Sequence, residues 1–160
     1  MPTFAEQIAK HVAKYKKRID DTVRGTVIGL AGSMIEYAPR GEYAQWSETG
    51  RKWNPSPPYQ KGEFAGSFDY SFGGVPDSYT PTIDASGRSS IERIKAGVMS
   101  APLIGKHYIY NNAPYAMVIE NNEHPLIDNW KLVGRNKPHI TYRTMKDAPY
   151  IVSKVTSRLV

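Results

Sequence analysis

Ile109-Tyr-Asn-Asn-Ala-Pro-Tyr-Ala-Met-Val-Ile-Glu120 reads as a short strand, a tight Asn-Asn-Ala-Pro turn and then a helical segment. Pro114 suits the first helical position, where its missing N–H would lack a partner in any case. Tyr115, Ala116, Ile119 and Glu120 then share one helix face, because residues three and four apart are neighbours there. Tyr115 and Ile119 are expected to bury against a sheet, and Ala116 to be small because another helix lies close.

Working upstream, Lys106–Asn111 and Ser90–Met99 read as strands, and residues 73–88 are rich in turn formers. Phe64, Phe68, Tyr70 and Phe72 mostly alternate with small or polar residues, the pattern of a further strand. Downstream, residues 121–138 form a polar loop marked by Pro and Gly, and Ile140–Arg143 reads as a short strand. A last helix runs from about Ala148 to Leu159, with Val152, Val155 and Leu159 on one face.

The N-terminus carries the clearest element. Thr3, with Glu6 three residues on, forms a capping box. Phe4, Ile8, Val12, Tyr15, Ile19, Val23, Val27, Leu30 and Met34 follow in steps of three and four, one stripe of a helix. Pro39 disfavours helical geometry at Ala38 and ends it. Such a helix is about 50 Å long, more than a compact domain of 160 residues needs. It therefore breaks near Gly25 and Gly29, or its N-terminal part projects towards another subunit. That small-residue pair reads either as a site of close helix approach or as a locally weakened helix. Residues 39–62 form a long Pro- and Gly-rich loop holding Trp46 and Trp53. Those tryptophans read as interface anchors or as covers for the domain's own core.

The 160 residues suit one domain with a real core, and 40% hydrophobic with 22% charged residues suits a folded protein. With no cysteine there is no disulfide, thiol nucleophile or cysteine zinc site. No apolar run reaches the roughly 20 residues of a spanning helix, and no signal-peptide core is visible, so a mature intracellular product without membrane contact is expected. Net charge is +6 and unevenly spread: both ends are basic and residues 25–130 are acidic. This distribution suits nucleic-acid contact, and equally head-to-tail docking of identical subunits.

No catalytic constellation is present in the sequence. His11, His107, His124 and His139 lack metal-ligand spacing, and nucleophile-elbow and phosphate-loop motifs are missing. Glu120 reads as a partner in a structural hydrogen bond or ion pair. No enzyme activity, cofactor or metal is expected.

Taken in order, these landmarks resemble the tail-component family of long-tailed double-stranded DNA bacteriophages, which includes tail-completion and neck proteins. The residues that carry the resemblance are the long amphipathic helix ending at Ala38-Pro39, Gly62-Glu63-Phe64-Ala65-Gly66-Ser67-Phe68, Tyr110-Asn111-Asn112-Ala113-Pro114-Tyr115-Ala116-Met117-Val118-Ile119-Glu120 and the closing helix. The sequence departs from the family where Pro39-Arg40-Gly41 and the Trp-containing insertion replace a Pro-Val-Asp-Thr-Gly loop, and where Asn121-Asn122-Glu123-His124-Pro125 lacks a glycine common after the Glu. The reading is an α+β domain over residues 1–160, with the long N-terminal helix and the C-terminal helix packed on an antiparallel sheet of three to five strands. The resemblance implies a structural virion subunit, assembled in the host cytoplasm, that forms a ring (sixfold by the usual symmetry of tails) at the head–tail junction or the top of the tail. Its partners would be further copies of itself and neighbouring neck and tail proteins such as terminator, stopper or tail tube, with incidental contact to genomic DNA. Trp46, Trp53, Tyr115 and Glu120 are the candidate interface residues. The alternative function is a DNA-binding accessory protein.

Overall fold

The structure, a computed structural model, describes residues 2–39, 46–48, 51–52, 62–121, 131–132 and 139–159. Helix α1 spans Phe4–Tyr37 without a break. Its capping box is closed as the sequence requires: Thr3 Oγ1 accepts from the Glu6 amide, and Glu6 Oε2 accepts from the Thr3 amide at 2.6 Å. Ala38, ahead of Pro39, turns extended and ends the helix. Strands β1 (Trp46–Glu48) and β2 (Arg51–Lys52) follow, then a short helix α2 (Glu63–Gly66) and strand β3 (Asp69–Phe72). Helix α3 (Arg88–Ser100), strand β4 (His107–Tyr110), helix α4 (Ala116–Glu120), strand β5 (Lys131–Leu132) and helix α5 (Ile140–Ser157) complete the order.

The domain is mixed but mostly helical. β3 and β4 form a two-stranded antiparallel sheet in which Asp69 faces Tyr110 and Phe72 faces His107. The two- and three-residue strands β2, β1 and β5 pair separately, also antiparallel. Two segments expected as strands are helical. Ser90–Met99 lies in α3, which buries Ser90, Ile94 and Val98 along one face. Ile140–Arg143 is the first turn of α5, which begins well before Ala148. The strand expected across Phe64–Phe72 starts only at Asp69, because the residues before it coil into α2.

The core joins α1, α2, α3, α4 and the start of α5: Ala31, Ile35, Phe64, Phe68, Ile94, Val98, Tyr115, Ile119 and Ile140 are all buried. α5 lies antiparallel along the C-terminal half of α1, with Val155 beside Gly25, Ile151 beside Gly29 and Asp147 bonded to Ser33 and Tyr37. A Cβ at Gly25 would stand 2.8 Å from Val155 Cγ1, and one at Gly29 2.5 Å from Ile151 Cγ2. The two glycines neither break α1 nor face outward; they let α5 approach within its own chain. α3 also runs antiparallel to α1. Arg24 donates to the carbonyls of Val98 and Ala101 at the C-terminal end of α3, while Ile35 lies against Gly87 at the other. A guanidinium there satisfies carbonyls that no helical amide can reach.

Candidate functional site

The opening segment forms a joint held from three sides. Asn111 Nδ2 donates to the Phe64 carbonyl at 2.9 Å, and its Oδ1 accepts from the Ala113 amide at 3.1 Å, a side-chain turn that aims the chain into α4. Asn112 Nδ2 donates to the carbonyls of Pro76 and Ser78. Tyr115, 5% exposed, donates its hydroxyl to Glu63 Oε1 at 2.7 Å, and Tyr79 donates to the same oxygen at 2.5 Å. Burial, with the hydrogen bonds to Tyr79 and Glu63, pushes the Tyr115 phenol far up, and burial with the Glu63 bond raises Tyr79. Both phenols therefore stay protonated and serve as donors to a buried carboxylate, which would otherwise be costly to bury.

Glu120 closes the joint on the other side. Its carboxylate accepts from the amides of Ile140 at 2.9 Å and Thr141 at 3.0 Å, and its carbonyl accepts from the His139 amide. It thus supplies from α4 the N-terminal cap of α5, where a negative charge also meets the positive end of the helix dipole. Tyr115 and Glu120, both expected at an interface, sit in the chain's internal frame. Ala116 is half-buried beside a small hollow lined by Met34, Ile109 and Ile140. Trp46 lies in β1, its backbone opposite Leu132. Trp53 and most of the 39–62 loop lie outside the described residues. Among the described residues no cluster of three His, Asp or Glu is placed to hold a metal ion, and no helix is long and apolar enough to cross a membrane.

An exposed apolar surface runs along the first half of α1. Phe4, Ile8, Val12, Tyr15 and Ile19 continue the stripe that packs the core further along, yet they are between 46% and 79% exposed. The first buried residue on this helix is Ala31. About 16 residues, or roughly 24 Å of helix, carry an apolar stripe that, among the described residues, is left largely exposed by the rest of the chain. At its base Leu103 and Ile104, the latter 89% exposed, border Ile19 and Val23 and widen the apolar surface. The stripe and its projection are visible in the sequence; the contribution of Leu103 and Ile104 is not, because it depends on where α3 ends. The chain matches no protein family, no curated protein and no solved structure.

Proposed function

We propose that this chain is a structural subunit of a tailed-phage virion, of the tail-completion or neck kind, forming a closed ring at the head–tail junction or the top of the tail. One observation carries the reading: the exposed apolar stripe on the projecting half of α1, a surface too extended to be left to solvent in a monomer. The order and spacing of the Ala38-Pro39, Gly62–Phe68 and Tyr110–Glu120 landmarks add the likeness to the tail-component family. In this reading the subunit binds copies of itself, sixfold, and neck or tail neighbours, catalyses nothing, and packs its long helices on an antiparallel sheet of three to five strands.

Purified particles of the encoding phage test the reading. The protein should be present in about six copies, and particles made without it should accumulate as filled heads and separate tails. Joined, infectious particles lacking the protein would sink it. A DNA-binding accessory role is favoured by Lys10, Lys14 and Lys17 on the face of α1 opposite the stripe. Tight, salt-dependent DNA affinity of the isolated chain, together with absence from virions, would select that role instead.

A further inference from the structure

We infer that the projecting half of α1 docks on a second copy of this chain, at the acidic segment 75–92 that lies at the opposite end of the body. The two ends are set by α3. Its C-terminal carbonyls are held by Arg24, where α1 leaves the body, and its N-terminus sits by Ile35, at the far end of α1. Donor tip and acceptor segment are thus separated along α3, and one chain cannot bring them together. The charges are complementary. Residues 4–19 carry Lys10, Lys14, Lys16, Lys17 and Arg18 against Glu6, net +4. Residues 75–92 carry Asp77, Asp84 and Glu92 against Arg88, net −2. Asp84 is occupied by its own serines, which leaves the exposed Asp77 and Glu92 as the carboxylates open to a partner. Exposed Val75 and Ile83 in the same segment offer apolar contact for the stripe. Pairing two α1 tips with each other would bury the same stripe but set +4 against +4, which is disfavoured at helix-contact distance. A tip-to-opposite-end contact is heterologous, so it propagates from copy to copy and closes as a ring where the rotation between copies divides a full turn.

The inference rests on the self-assembly part of the proposed function. The test is sedimentation velocity of the full chain up to millimolar concentration in low salt. Wild type should associate reversibly, and association should weaken as salt rises. Ile8→Glu with Val12→Glu, and separately Asp77→Lys with Glu92→Lys, should each weaken it tenfold or more; all four positions are exposed, so unchanged thermal midpoints confirm that the fold is intact. Adding Lys14→Glu and Arg18→Glu to the Asp77/Glu92 pair should restore much of the loss. A wild-type chain that stays monomeric overturns the inference. So does association indifferent to Asp77 and Glu92, or stripe-dependent binding to phosphatidylserine vesicles without self-association. A chain that associates this way but is missing from virions would overturn the virion role alone. A virion ring with the α1 tip in solvent would overturn the docking alone.

Discussion

At the scale of single residues, side-chain polar contacts fix where helices begin. Asp84 accepts from the amides of Ser86 and Ser89, at 2.8 Å each, and from both hydroxyls, so its carboxylate caps α3 from outside the helix. The Ser86 hydroxyl bond, followed by the Ser89 amide, holds the Asp84 carboxyl well below its ordinary range. A depressed folded-state pKa means stability that is present above the unfolded value of about 3.9 and lost as pH falls below it. Asp84→Asn should therefore lower stability at pH 7 and flatten the acid limb of a stability–pH profile measured by urea unfolding; an unchanged limb would remove Asp84 from this role. Thr144 presents the opposite case. Its hydroxyl is buried in α5 and has no partner among the described residues. An unpaired buried hydroxyl costs about 1–3 kcal/mol, so Thr144→Val should be neutral or stabilising by about 1 kcal/mol in the same assay. A clear loss would reveal a partner for that oxygen.

At the scale of elements, the glycines of α1 make opposed predictions on one helix. A side chain at Gly29 runs into Ile151, a branched residue held against α1, so Gly29→Leu should cost about 1–3 kcal/mol by over-packing. At Gly32 a Cβ meets only Ile91 Cδ1, at 3.9 Å, an ordinary contact. Gly32→Ala should then recover most of the roughly 1 kcal/mol that glycine costs inside a helix. Equal thermal midpoints for the two variants would mean that α5 does not seat on the small face of α1. The same helix shows how far the sequence alone could be read. α1 was legible from end to end because its cap, stripe and stop are local: Thr3 with Glu6, an apolar residue every three or four positions, and Pro39. α3 was not. Ile91, Ile94 and Val98 have helical spacing, but the caps that fix its ends are Asp84, before its first turn, and Arg24, on another helix. α5 begins eight residues before the expected start near Ala148, and it carries Pro149 in its interior. That proline is exposed, so water can reach the carbonyl it leaves unpaired. The joint at 109–120 was read correctly as strand, turn and helix, and Glu120 as a hydrogen-bonding group, but α4 begins at Ala116, two residues after the expected start at Pro114. The partner of Glu120, the first turn of α5, is about 20 residues away and could not be seen.

At the scale of the whole molecule, the described residues divide into a body that packs itself and a tip that stays exposed. Every buried residue of α1 lies from Ala31 onward, and the body's other anchors are the Arg24 cap on α3, the Asp147 bonds to Ser33 and Tyr37, and the Arg143 guanidinium 3.9 Å from the Tyr37 ring centroid. None involves a residue before position 20, and Asp20 itself holds Arg24 in place at 2.7 Å. A chain lacking residues 2–16 should therefore fold. Its shortened helix would open with Asp20 and Asp21 in the first turns, where carboxylates favour the exposed amides. What it forfeits is solvent-facing side chains, and substitutions of such residues usually change stability by less than about 0.5 kcal/mol each. The thermal midpoint should move by only a few degrees, since about 1 kcal/mol corresponds to roughly 2–8 °C in domains of this size range. Association in low salt, by contrast, should vanish, because the deletion removes four of the five exposed stripe residues and three of the five basic residues together. Circular dichroism melting and sedimentation of the same sample read the two effects separately. A truncated chain that melts far lower would place the tip within the domain's own fold. One that melts normally and still associates would move the assembly surface to another face, with the exposed Tyr142, Met145 and Tyr150 on α5 next to examine.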